Sequence, residues 1–367
     1  MLDNWLRPVP PELWTTTELA DFQFGKKIRW HAQELPDLST AAIALLGIGD
    51  EAANAVRQAL YRLSFPFNNL QIVDLGNARK TDATFLAPLL KELLDGNILP
   101  LVIGAAPHHL TVQYKAFQSI QSRVNLTVID KQIALCESER EHSAFYLNDI
   151  VLHARTRLFH LSMVGCQVHY TSPIAFQYLD KRQFDCMRLG NARSDIQEVE
   201  PLIRDADLAG FQIAAIRAAD APAQAQPVPS GFTAEEACQI ARYAGMSDKL
   251  RSFGIFGFKQ SLDNQGLTAE LIAQMVWYFV DGFYNRKQDF PVSTEGLTEY
   301  IVDFKQMDYQ LIFWKSNRSG RWWMQVPVKI GKKYNRHRLI PCSYNDYKRA
   351  CEDELPDRLL HAYKRFL

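Results

Sequence analysis

Leu99-Pro-Leu-Val-Ile-Gly-Ala-Ala-Pro-His-His-Leu-Thr111 shows the strand-to-helix alternation of this chain: an apolar run, a glycine-closed turn, and the start of a helical period. An apolar run of six residues without alternation is what a strand buried on both faces shows. The same alternation continues on either side. Strands are expected over 41–47, 70–75, 99–104, 125–130, 158–164, 184–189, 208–216 and 251–257. Helices are expected between them over 51–63, 84–94, 110–122, 173–179, 196–204, 233–244 and 268–284. Strands alternating with helices predict a parallel sheet with helices on both faces. Eight strand signals with crossovers are too many for two small domains. They predict one doubly wound α/β domain over 41–286, three layers deep, with a mostly parallel eight-stranded sheet.

Local signals agree with this division. Thr233-Ala-Glu-Glu236 reads as a capping box, and Thr268 can cap the long apolar helix after it. The segment 218–230 is a loop by composition, placed after a strand end, where open α/β sheets bind ligands. Residues 1–40 are expected to pack on the domain as an extension. From 287 to 367 the character changes: two aromatic-rich runs, 309–315 and 321–328, flank Ser316-Asn-Arg-Ser-Gly320 and predict a β-hairpin. A polar helix follows from about Ser343, broken at Pro356 and resuming to Phe366.

Bulk properties exclude more than they assign. The 41 basic and 41 acidic residues cancel, so no overall field draws the chain to nucleic acid or a membrane. Six scattered cysteines form no C-x-x-C pair and give no disulfide framework. The first residues lack a basic, then unbroken apolar, leader, and no window reaches the length of a membrane span. A soluble cytoplasmic protein is expected.

Three strand-end segments, in order, resemble the metal-binding motifs of the arginase, agmatinase and formimidoylglutamase (ureohydrolase) family. Residues 103–111 resemble Gly-Gly-Asp-His-Ser-x-Thr, which places His108 on a metal-binding histidine. Residues 128–134 resemble Ile-Asp-Ala-His-x-Asp, with Asp130 on a bridging aspartate and Gln132 and Ala134 where the family has histidine and aspartate. Residues 210–222 resemble Ser-Phe-Asp-x-Asp-x-x-Asp-Pro, with Gln212 and Ala214 replacing both aspartates. Residues 227–237 and 268–273 are similar to the family's Pro-Gly-Gly-Leu stretch and final helix. The resemblance implies an arginase-like fold of a divergent bacterial branch. It also implies a centre in which two histidines and four aspartates hold two manganese ions that activate a shared water.

Here only His108 and Asp130 of that set remain, at most a weak metal site, so a metal-free centre is expected. Third-ligand candidates are His109, Gln132, Gln212 and Glu137. Arg217 could fill the void by pairing with Asp130 or Asp220. Arg217, Glu236 and His109 are candidate ligand contacts, although the capping box already accounts for Glu236. In the tail, Lys315, Arg318, Arg321, Trp322, Trp323, Lys332 and Lys333 form a basic, aromatic candidate partner surface. Protein docking or homo-oligomerisation is expected there rather than nucleic acid. The leading expectation is a pseudoenzyme serving as scaffold or binding protein. The alternatives are a manganese-dependent hydrolase of formimidoylglutamate or a guanidino compound, and a sensor holding a small molecule in the former substrate cleft.

Overall fold

The computed structural model describes residues 2–15, 18–138, 143–291, 293–304, 309–326 and 339–366. Its main sheet has ten strands: β1 (Leu6–Arg7), β2 (Arg29–Trp30), β3 (Ile43–Ile48), β4 (Ile72–Ala78), β5 (Leu99–Gly104), β6 (Val124–Ile129), β7 (Leu158–Cys166), β8 (Asp185–Arg188), β9 (Leu208–Gln212) and β10 (Ser252–Phe256). The order is β1-β4-β3-β5-β10-β9-β6-β7-β8, with β2 also on β4. Every pairing is parallel except β1 on β4. The eight expected strands are all present. The two additional ones come from the N-terminal extension, which completes the sheet edge instead of merely packing on it.

Period-two geometry sends alternate residues of one strand to opposite layers. In β3, Ile43 and Leu45 join one core and Ala44, Leu46 and Ile48 the other. The first core lies under the helices Asp50–Leu60, Ala234–Met246 and Leu267–Tyr284, the second under Ala83–Asp95 and His109–Ile120. The strand expected over 208–216 stops at Gln212, where Ile213–Ala215 turns into a 3-10 helix.

A polar cluster is embedded beneath the Asp50–Leu60 helix. Arg57 and Asp74 are 1% and 0% exposed and form a two-point ion pair, Nε to Oδ2 at 2.8 Å and Nη2 to Oδ1 at 2.9 Å. Tyr61 donates to Asp74 at 3.0 Å, while Arg57 donates to the Gly76 carbonyl at 2.7 Å and Asn77 Oδ1 at 2.6 Å. A buried pair is tolerable only when its remaining donors and acceptors are filled in this way.

The tail is larger than the expected hairpin. Strands β11 (Leu297–Phe304), β12 (Tyr309–Ser316), β13 (Trp322–Gln325) and β14 (Leu339–Cys342) form a four-stranded antiparallel sheet in that order. The helices Tyr344–Cys351 and Asp357–Phe366 follow, the first opened by a Ser343–Asp346 capping box. Arg204, Arg321, Arg358 and His361 link this unit to the main domain. The buried Arg204 guanidinium donates to the Trp322 and Cys342 carbonyls at 3.1 and 3.0 Å, and lies 4.4 Å from the Trp323 ring centroid. Among the described residues, no helix is long and apolar enough to cross a membrane.

Candidate functional site

The ends of β5, β6 and β9 converge on one buried polar group. After β5, His108 takes the N-cap position of the His109–Ile120 helix and is exposed, whereas His109 is buried. His109 Nδ1 receives a long 3.4 Å hydrogen bond from the Ala106 N–H. Burial, followed by the neighbouring His108 and Lys259, holds the His109 imidazole down at about 4, so it is neutral.

At the end of β6, Asp130 is buried and its Oδ2 accepts from the Tyr146 hydroxyl at 2.7 Å. Burial pushes this carboxyl up to about 6. The Tyr146 hydroxyl, the Lys131 and Gln132 backbone N–H groups and the Lys131 ammonium oppose that rise. Lys131 itself turns away, donating to the Gln226 carbonyl at 3.0 Å and lying 5.2 Å from the Tyr170 ring centroid. Gln132 is half-buried and Ala134 buried.

At the end of β9, Gln212 is 1% exposed and donates through Nε2 to the Pro107 carbonyl at 3.2 Å. Its Oε1 is buried and accepts no hydrogen bond among the described residues. The side chain flanks the Tyr146 hydroxyl, closing a path from β6 through Tyr146 and Gln212 to the turn after β5. Ala214 is half-buried in the short 3-10 turn that follows.

Tyr146 was invisible to motif reading. It lies outside all three segments, and only tertiary contact brings its hydroxyl to Asp130. Thr111 Oγ1 further tethers it, donating to the Tyr146 carbonyl at 3.4 Å.

The other predicted contacts are engaged elsewhere. Arg217 pairs with Asp220, Nε to Oδ2 at 3.0 Å, and not with Asp130, because Asp220 lies within its own turn. Asp220 Oδ2 also accepts from the Ala234 N–H at 2.8 Å. Glu236 closes the capping box, accepting from the Thr233 N–H at 2.8 Å, and receives Arg193 Nε at 3.0 Å on its other oxygen. Glu137 is exposed.

The candidate partner surface is largely turned inward. Trp322 and Trp323 are buried, and Arg321 donates to the Met246 carbonyl at 3.2 Å and pairs with Glu200 at 3.4 Å. Trp323 lies against Arg204 of the main domain and Trp322 packs inside the tail against Tyr300 and Tyr347, leaving Arg318 exposed and Lys315 half-buried. Lys332 and Lys333 lie outside the described residues.

Among the described residues, no three His, Cys, Asp or Glu side chains gather in a metal-holding cluster. The strand-end group supplies one carboxylate, one amide, one phenol and one neutral imidazole.

No family model and no curated protein matches the chain. Solved structures do. Trypanosoma cruzi formiminoglutamase with manganese aligns at TM-score 0.61 and 18% identity, over 70% of this chain and 96% of that one. Bacillus subtilis formimidoylglutamase aligns at 0.59 and 15%, over 71% and 95%. Agmatine ureohydrolase of Thermoplasma volcanium aligns at 0.54 and 15%, over 74% and 97%. With β5, β6 and β9 ending together at the centre of such a sheet, this chain has the arginase-like ureohydrolase fold.

Proposed function

We propose that this protein is an arginase-fold scaffold that works by binding and does not hydrolyse amidines. The observation behind this reading is the Tyr146–Asp130 hydrogen bond, with Gln212 alongside it. A pair of divalent cations needs carboxylates to offset four positive charges, and the strand ends offer one, already engaged. Each uncompensated buried ion would cost on the order of several kcal/mol. The residues present do not fit a manganese pair, so no catalytic step is assigned to one. Six unpaired cysteines suit a reducing cytoplasm.

The test is to purify the chain with manganese present, measure its metal content, and assay ammonia, urea and formamide release from formimidoylglutamate and guanidino compounds. The expected result is substoichiometric metal and no turnover. Two bound ions with turnover would instead support the metal-dependent hydrolase.

A second reading rests on Gln212 Oε1, a buried acceptor that a small donor-bearing molecule could satisfy. Such a ligand would raise the melting temperature in a thermal-shift screen of guanidino and amino-acid compounds. A flat screen would count against it.

A further inference from the structure

The two sheets treat their edges differently. An unpaired strand edge is a ready template for another chain, and proteins commonly blunt it with short strands, proline or covering elements. The main sheet ends in the two-residue β1 on one side and the four-residue β8 on the other. On β8, Asp185 is held at 2.8 Å by His361 of the last helix. In the tail sheet, the β14 edge contains Pro341, and Arg204 occupies its Cys342 carbonyl.

Strand β11 has none of these devices among the described residues. It runs eight residues, Leu297–Phe304, contains no proline, and pairs with β12 in unbroken register from Leu297↔Ser316 to Phe304↔Tyr309. On its inner face Tyr300 and Val302 are tied into the tail core. On its outer face Glu299, Ile301 and Asp303 are exposed in alternation, with Ile301 at 55%. Nearby, Glu295 is exposed as well, whereas Asp289 is buried against Arg321, and Lys287 and Lys305 flank the segment in sequence.

These charges discriminate between occupants. In an antiparallel self-pairing of two β11 strands centred on Ile301, Glu299 of each copy would stand opposite Asp303 of the other. Like charges directly opposed across a strand pair are destabilising. A partner strand carrying basic, apolar and basic residues at alternate positions meets both acids with opposite charge and Ile301 with an apolar side chain. Its backbone supplies hydrogen bonds along the edge that no described strand pairs.

We infer that β11 is a docking edge for an extended basic segment of a partner protein, which adds as a fifth strand to the tail sheet through a Lys/Arg-x-apolar-x-Lys/Arg pattern. This goes beyond the binding role proposed above by naming the surface and the chemistry of its partner. Because peptide affinity and manganese content are measured separately, either reading can fail without the other.

The test uses the full chain and a fluorescein-labelled peptide built around Lys-Thr-Val-Thr-Lys, read by fluorescence anisotropy and by amide hydrogen exchange over 297–304. Saturable binding is expected, with slowed exchange in β11. Methylating the peptide's alternate backbone nitrogens, or replacing its lysines with glutamate, should weaken binding at least tenfold. The exposed pair Glu299→Lys and Asp303→Lys should do the same while leaving the melting temperature of the main domain in place. Ile301→Lys serves as a milder second variant. Binding insensitive to backbone methylation or to the charge reversals would overturn the inference. So would failure of the peptide to bind alongside concentration-dependent dimerisation of the chain.

Discussion

The Tyr146 hydroxyl donates to Asp130 Oδ2 at 2.7 Å in the interior of the strand-end group, where both residues are buried. Tyr146→Phe removes the donor and leaves the carboxylate with less compensation. A hydrogen bond to a charged group contributes about 1.5–3 kcal/mol, so the variant should lose a comparable amount at pH 7 by chemical denaturation. At pH 4.5, where Asp130 is largely protonated, the loss should shrink. An equal loss at both pH values would show that the bond does not depend on the carboxylate charge.

Asp130 and His109 should give opposite pH dependences over one window. The folded Asp130 carboxyl sits at about 6, above its ordinary value of 3.8, so the folded state holds the proton more tightly and stability from this group falls as pH rises from 3.8 to 6. The folded His109 imidazole sits at about 4, below 6.5, so its contribution is lost as pH falls from 6.5 to 4. Each shift corresponds to roughly 3 kcal/mol, so the two oppose one another in the native chain. Denaturation from pH 4 to 7 should show Asp130→Asn gaining stability relative to the native chain toward pH 7, and His109→Gln gaining toward pH 4. Parallel profiles for all three proteins would contradict both assignments.

The buried Arg57–Asp74 pair predicts an asymmetric cost. Asp74→Asn leaves a guanidinium enclosed without its counter-charge and should cost about 3–5 kcal/mol. Replacing both residues, Arg57→Met with Asp74→Leu, should cost less than the sum of the single changes, which a double-mutant cycle in urea would measure.

Arg204 predicts how the tail is attached. Arg204→Ala removes two charge-assisted hydrogen bonds and the contact with the Trp323 ring, and should loosen the tail sheet by about 3 kcal/mol or more. Limited proteolysis should then cleave faster near 287–296. Arg204→Lys should restore little of this, because one ammonium does not reproduce the planar fork that reaches the Trp322 and Cys342 carbonyls together.

The most plainly legible strands are those whose side chains are buried on both faces. The run at 99–104 is apolar throughout, the run at 124–129 is interrupted only by the buried Asn125 and Thr127, and the bounds of both fell within a residue of expectation. The capping box at Thr233 was equally plain, because both of its hydrogen bonds are local. The strands β1, β2, β11 and β14 were not read. The first two are two residues long and depend on β4, distant in sequence, whereas β11 carries acids on its outer face and β14 contains a proline, which mask the strand pattern.

Sequence by itself determined which residue types stand at the three strand ends, Asp130 being the carboxylate among them. It did so because those segments are local and their order along the chain survives. Tertiary structure alone decided that Tyr146 answers Asp130 and that Arg204 meets the Trp322 carbonyl and the Trp323 ring. The physical reason is that a side chain's partner is set by which elements packing brings within about 3 Å. No local pattern encodes that distance.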